Sequence, residues 1–409
     1  NHLGNQLVKN AQDVNYGFKF FLVNNNELNA FAFFGGHVGI HTGLLTTADN
    51  ESELASVIAH EISHVTQRHL ARRLESQVNS QALSMAGMVS GILIALVNPT
   101  AGMAALSASM AASQQASINY TRGNEKEADR VGIALLANSN FDPQGAPSFF
   151  SKMSEKYRYA SKPPAMLLTH PLPESRIADA RQRAHNFPIR KLAPSLQFEL
   201  AKARIKARYQ GNAKDNISNF TQQLRDKKYI IKAAAEYGLA IAYFEDKQYH
   251  SAKKILENLK IQDTHNLFYI DVLTDVYIAL EEYDKAITML ENLALYMPNN
   301  QVISLNHGNA LLSAKKYEQA ETVLQDFLLV NPDNFIAYDI LTTVYQKQDK
   351  KGLMHTAKAE VLALLGAYSK AVDELQTSYN LVEDQPLLQK RIKARILQFQ
   401  EQDNRLKRL

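Results

Sequence analysis

A period of 34 residues governs the second half of the chain. Tyr209, Tyr243, Tyr277, Leu311 and Tyr345 form one ladder, Tyr249, Tyr283 and Tyr317 a second, and Ala252, Ala286 and Ala320 a third. A unit of this length cannot bury its own apolar face, so each unit must stack on its neighbours and the fold must be an array. Pro298 and Pro332 close successive units at the same spacing, each followed by Asn or Asp, as a helix-ending turn requires.

This is the tetratricopeptide pattern. Each unit is a helix pair in which the small Ala lets the two helices approach and the Tyr fills the space between neighbours, and the pairs stack into a curved all-α solenoid. The Tyr and Ala ladders are therefore core, and function lies on the concave surface between them. The signal recurs at Tyr368 and Ala371, 51 residues after Tyr317 and Ala320. That is one and a half periods, which predicts a phase change and an irregular helix near Lys351. Gly308-Asn309 alone does not establish a clamp for a peptide terminus.

The first part of the chain follows no such period. It mixes strand-like, helical and small-residue segments, and the seam is His185 to Pro194, bracketed by Pro188 and Pro194. We place one domain at residues 1–186 and the repeat domain at 187–409. Two domains are also what a length of 409 residues suggests, since one core rarely grows that far. The 45 basic and 41 acidic side chains are intermingled, with a net charge of +4 and no basic stripe, so no nucleic-acid partner is expected. The chain has no cysteine, which excludes disulfides and thiolate metal sites and leaves His and carboxylates as the only ligands for zinc. The apolar run Met85 to Val97 is interrupted by Gly87, Ser90 and Gly91 and falls short of the roughly 18 residues a span needs. No transmembrane helix is expected. The chain starts at Asn1 rather than Met, as expected of a processed or trimmed form, from which an export signal could have been lost.

The chemistry is concentrated in His60-Glu61-Ile62-Ser63-His64. Upstream, Asn29 to Phe34 and His37 to Leu44 read as extended runs joined at Gly35-Gly36. Asn50 and Glu53 then cap a helix whose apolar pattern runs over Leu54 to Leu74. On it His60 and His64 lie one turn apart, so both imidazoles can reach one ion, while Glu61 projects beside them to hold a water and take its proton. A metzincin would place Gly and His where this chain has Gln67 and Leu70, and His69 is out of register. Glu75 lies roughly 16 Å along a continuous helix from His64, too far to reach the ion. The next carboxylates are in Asn124-Glu125-Lys126-Glu127-Ala128-Asp129. Glu125 and Asp129 share a helix face and Glu127 points away. Glu125 is assigned to the metal, and Asp129 to the second ring nitrogen of a ligand histidine. His37 and His41 are read as packing residues.

These motifs, with the Asn29-Ala30-Phe31 segment before the Gly-Gly turn and Thr169-His170-Pro171 followed by Arg176, resemble the M48 peptidase family of gluzincins. The resemblance implies an α+β metalloprotease domain, mostly helical with a small sheet, followed by the tetratricopeptide solenoid. It implies one zinc ion held by His60, His64 and Glu125, and catalysis by Glu61 supported by Asp129, His170 and Arg176. His170 is either a fourth metal ligand that closes the site or a hydrogen-bond donor to the tetrahedral intermediate. Arg176 orients a ligand carboxylate or the substrate. The resemblance further implies a periplasmic endopeptidase that acts on unfolded or misassembled outer-membrane proteins and assists their assembly. Its expected partner is the outer-membrane β-barrel assembly machinery, with peripheral membrane contact but no span.

The segment Leu83 to Ser117 reads as two helices broken at Asn98-Pro99, either packed or serving as a lid. The competing reading of the whole chain is a repeat scaffold or chaperone whose zinc site is latent or structural.

Overall fold

The computed structural model describes residues 2–15, 17–33, 35–75, 121–159, 161 and 164–408. The segment Leu83 to Ser117, with its run Met85 to Val97, lies outside the described residues. The chain divides into two compact units, Asn1–Gly211 with Lys227–Ala234, and Asn212–Asp226 with Ala235–Leu409.

In the first unit, α1 (His2–Val8) precedes a three-stranded sheet of β1 (Lys19–Val23), β2 (Ala30–Phe33) and β3 (His37–His41), in the order β1-β3-β2. β1 runs parallel to β3 with Lys19 opposite His37, and β2 runs antiparallel with Phe33 opposite His37. Gly35 and Gly36 between β2 and β3 have φ of 76° and 75°, a left-handed conformation in which a side chain would be strained. The extended run after this turn is shorter than its sequence suggests. At Thr42 the chain turns into α2 (Thr42–Thr47), because Thr42 Oγ1 donates to the Asn25 carbonyl at 2.9 Å and accepts from the Asn25 amide, while Gly43 N–H donates to the same carbonyl.

The helix α3 (Glu51–Thr66) is the centre of this unit and is buried on nearly every side. Asn50 caps it by accepting from Glu53 N–H at 3.0 Å, and Glu53 reaches back to accept from Asp49 N–H at 2.8 Å. Ser148 and Lys152 of α6 (Gly145–Tyr157) donate to the same Glu53 carboxylate, fixing where α3 begins. The helix does not continue to Leu74 as its apolar pattern suggests. It ends at Thr66, Arg68 takes a left-handed φ of 56°, and a new helix, α4, starts at 69 and is described to 75. Helix α5, described over 121–138, crosses α3 at close range. A Cβ on Gly132 would lie 3.2 Å from the backbone of His60, so glycine is what lets the two metal-motif helices meet there.

The unit is completed by α7 (Ala165–Thr169), α8 (Glu174–His185) and α9 (Leu196–Tyr209). Leu7, Val38, Leu44, Ile62, Leu136 and Phe149 are among its core residues. It extends beyond residue 186 because α9 adds Phe198 and Ile205 to that core and Lys202 Nζ donates to the Ala48 carbonyl at 2.6 Å.

The second unit is a run of helix pairs: α11 (Lys232–Glu245) with α12 (Tyr249–Gln262), α13 (Leu267–Ala279) with α14 (Tyr283–Tyr296), and α15 (Gln301–Ser313) with α16 (Tyr317–Val330). These follow α10 (Ala213–Arg225). Next come α17 (Phe335–Lys347), α18 (Lys351–Leu364), α19 (Tyr368–Leu381) and α20 (Pro386–Leu406). Ala252, Ala286 and Ala320 are all fully buried, as the pairing of helices requires. The turn within each pair is built the same way. Lys247, Glu281, Lys315 and Asp349 take left-handed φ of 56° to 61°, and the next N–H donates to the carbonyl of Tyr243, Tyr277, Leu311 or Tyr345 at 2.8 to 2.9 Å. The first Tyr ladder therefore also supplies the carbonyls that close the turns.

The Asp349 turn obeys this rule, and so does the next one, where Gly366 takes a left-handed φ of 76° and Ala367 N–H donates to the Leu362 carbonyl at 2.9 Å. The phase change the spacing suggests therefore falls after α18, which is itself a regular helix and not an irregular one. Gly352 stands near its start, where a Cβ would lie 2.3 Å from the Val382 side chain. The Tyr and Ala signature returns only at α19, which packs directly against α18.

Candidate metal centre

His60 and His64 are one turn apart on the buried helix α3, and their Nε2 atoms lie 3.0 Å apart. Glu125 comes from α5, and His170 stands at the C-terminal end of α7, where its N–H donates to the Met166 carbonyl. His60 Nε2 lies 3.5 Å from His170 Nδ1 and 3.4 Å from Glu125 Oε2. Glu125 Oε1 lies 3.4 Å from His64 Nε2 and 3.0 Å from His170 Nδ1. The four residues form the one group of potential metal donors among the described residues.

These separations test whether the set fits zinc. In a tetrahedron with bonds of about 2.0 to 2.1 Å, neighbouring donors lie about 3.4 Å apart. Five donor separations of 3.0 to 3.5 Å, those to Glu125 divided between its two oxygens, are close to that figure, and one ligand atom from each of the three imidazoles and the carboxylate lies within 4.8 Å of the others.

Burial opposes a charge on His60, yet its bonds to Asp129 and Glu125 outweigh burial and push its pKa up to about 10. Glu125 is held well below the usual carboxylate range, because contacts with His170 and His60 outweigh its burial. Burial, and then the neighbouring His60, depress His64, which keeps a lone pair available. The carboxylates of Asp129 and Glu125 thus favour a positive charge at His60.

Asp129 lies one turn beyond Glu125 on α5, and its Oδ1 is 3.0 Å from His60 Nδ1. Arg176 holds this carboxylate in a two-pronged contact, Nε to Oδ2 at 2.8 Å and Nη2 to Oδ1 at 2.7 Å. The same guanidinium lies 2.8 Å from Glu125 Oε2, donates to the Pro171 carbonyl at 2.8 Å, and sits over the Phe150 ring. Arg176 thereby ties both α5 carboxylates to the loop that carries His170.

Glu61 faces the other side of the cluster. It is buried, its Oε1 has no hydrogen-bond partner, and His170 Nε2 is 3.7 Å from it. It lines a cleft of about 450 Å³ together with His64, His170, Phe31, Ala32 and Phe33. β2, which supplies the three apolar residues, is an edge strand among the described residues. His60, Glu61, His64, Glu125, Asp129, His170 and Arg176 are thus brought together, while Glu75 is exposed and His41 packs its ring edge-on against Phe31.

One pair of neighbours was not foreseen. His69 is buried, with Nδ1 2.8 Å from His64 Nδ1 and Nε2 3.0 Å from Glu127 Oε2. On a straight helix His69 would point elsewhere. The left-handed turn at Arg68 brings it back, and no Gly, Pro or Asn in the sequence announces that turn.

Residues 2–184 match the model of peptidase family M48, and residues 234–262 and 277–343 match tetratricopeptide repeat models. Two relatives named beta-barrel assembly-enhancing protease, from Yersinia pestis and Escherichia coli K12, are each 40% identical over 276 residues, which is 68% of this chain and 57% of the relative. A Vibrio cholerae protein that carries the name provisionally is 43% identical over 276 residues, 67% of this chain and 57% of that protein. The chain therefore matches little more than half the length of these relatives. No described helix is long and apolar enough to cross a membrane.

Proposed function

We propose that this chain, which carries a peptidase family M48 domain ahead of tetratricopeptide repeats, is a zinc-dependent endopeptidase that cleaves unfolded or misassembled outer-membrane proteins in the periplasm. The observation that carries this reading is the buried, unpartnered Glu61 oxygen facing the cleft beside four convergent donors. His60, His64 and Glu125, joined by His170, would hold one zinc ion, which when bound supplies Lewis acidity for the scissile carbonyl and acidifies water. Glu61 would accept a proton from water and return it to the leaving amine. Asp129 Oδ1, 3.0 Å from His60 Nδ1, would fix which ring nitrogen of His60 faces the metal, and Arg176 holds Asp129 and Glu125 in place. The outer backbone of edge strand β2 would pair with an extended substrate, so unfolded segments are preferred and side-chain selectivity is broad.

The names of the relatives support a substrate among outer-membrane β-barrel proteins and an assembly-assisting role in which the repeats engage the β-barrel assembly machinery. A second reading, a scaffold or chaperone with a latent zinc site, is favoured by one observation. His170 Nδ1 stands among the donors, and four protein ligands leave no open position. Both readings are met if His170 closes the resting site and withdraws when substrate arrives.

The test is cleavage of an unfolded outer-membrane β-barrel protein by the wild type, Glu61→Gln and His170→Ala, with zinc content measured in each. Glu61→Gln is expected to retain zinc and lose roughly 10²- to 10⁴-fold in rate, and a rate equal to wild type overturns the enzyme reading. His170→Ala is expected to retain zinc and raise basal cleavage. Lost cleavage would instead assign His170 to catalysis.

A further inference from the structure

His69 and Glu127 take no part in the donor set or in the proton transfers above, yet they are joined to it. His69 is 4% exposed and its ring meets that of His64 edge-on, with centroids 4.8 Å apart. Its Nδ1 is 2.8 Å from His64 Nδ1, its Nε2 is 3.0 Å from Glu127 Oε2, and Arg72 Nη2 donates to the same Glu127 oxygen. The placement of His69 and Arg72 depends on the break after Thr66. His69 and Arg72 lie on α4, which the left-handed Arg68 redirects, and Glu127 lies on the side of α5 away from Glu125 and Asp129.

We propose that His69 is a positioning residue for His64: backed by Glu127 and Arg72, it fixes the tautomer and the ring plane of the second histidine of the metal motif. The proton order follows from donor and acceptor chemistry. An ionised Glu127 only accepts, so His69 Nε2 carries a hydrogen and donates it. The neutral His69 then has a bare Nδ1, which accepts from His64 Nδ1–H. His64 Nε2 is left with its lone pair, and that is the atom 3.0 Å from His60 Nε2 and 3.4 Å from Glu125 Oε1.

The two motif histidines are therefore oriented by different devices. His60 meets a carboxylate directly, Asp129, which is buried together with its Arg176. His64 meets a second imidazole whose carboxylate and guanidinium are 30% and 42% exposed. Partners of this kind change metal affinity when removed, by about 10- to 100-fold in other sites.

The inference rests on His64 being a zinc ligand, and the experiment separates the two. Zinc affinity of the full chain is measured by chelator competition for the wild type, His64→Ala, His69→Asn and His69→Gln, and the cobalt-loaded forms are compared by their visible absorption spectra. Asn places an acceptor oxygen near the position of Nδ1 and keeps the bond from His64. Gln, closer to His in size, places its amide near the position of Nε2 and keeps only the Glu127 bond. His69→Asn is expected to bind zinc within about threefold of wild type with an unchanged cobalt spectrum, and His69→Gln to bind about 10- to 100-fold more weakly with an altered one. His64→Ala should lose zinc. Equal affinity for the Asn and Gln variants, with His64→Ala still deficient, overturns the positioning role and leaves the ligand assignment standing. Full zinc binding by His64→Ala removes both.

Discussion

The two units bury different things. In the first, the polar centre is inside: His60, Glu61, Glu125, Asp129 and Arg176 are each 5% exposed or less and lie within one network. In the second, the inside is a periodic apolar stack in which Ala286, Leu290, Ala320 and Leu324 are fully buried, and its buried polar groups are few and scattered. A buried charge is tolerable only while its partner is present, whereas a buried Leu contributes through area and packing alone. The first unit should therefore fail abruptly when one charge is removed. The second should fail gradually and locally, since each repeat depends chiefly on its neighbours.

The largest stability effect expected from this difference is at Arg176. Arg176→Met leaves the Asp129 and Glu125 carboxylates buried together without their shared cation, and breaking a buried pair in this way costs about 3 to 5 kcal/mol. Hydrogen exchange followed peptide by peptide should show lost protection in α3 and α5 and none in α13 to α16. Unchanged protection in α3 would mean that the network contributes little to holding the unit, and the contrast would not stand.

The same contrast explains what could be read from the sequence. The positions of His60, His64, Glu125 and Asp129 follow from the helical repeat once each helix is identified, because residues four apart share a face whatever surrounds them. The tetratricopeptide ladders were legible for a similar reason, a fixed period imposing identical environments. What escaped was set by single backbone residues in the left-handed region. Arg68 ends α3 and carries His69 to His64, and Lys247, Glu281, Lys315 and Asp349 turn each pair of helices. None of them is a glycine, so the usual marker of that conformation is missing. Asp349 in particular carries the turn rule into α18 where the missing Tyr at Lys351 suggests a break, and the shift comes one helix later, at Gly366. The inclusion of α9 in the first unit was also hidden, since Pro188 and Pro194 mark the end of a helix but not the end of a core.

A smaller and more local loss is expected from Leu273→Ala. Leu273 is fully buried in α13, and truncation of such a side chain costs about 2 to 5 kcal/mol depending on how far the cavity closes. Protection should fall in α13, α14 and the adjoining helices, while zinc content and the exchange of α3 stay as in the wild type. Loss spread evenly over the second unit would show a single cooperative core instead of a chain of neighbour contacts.

The smallest effect belongs to the surface of the repeats, where Lys253 Nζ lies 2.7 Å from both oxygens of Glu282 and Lys285 adds a third contact at 3.1 Å. The hydrogen bond from Lys253 holds Glu282 below its ordinary carboxylate range. A folded-state pKa lower than the unfolded one gives stability that is complete above the unfolded value, near pH 4.5, and is lost as the pH falls through the folded value. Comparing Glu282→Gln with the wild type should therefore give a difference of about 0.2 to 1 kcal/mol at neutral pH, shrinking in acid and in high salt. The Arg176 effect should persist in high salt, because burial shields that network from screening ions. If salt erased both equally, the charges of the first unit would be behaving like those on the surface of the second.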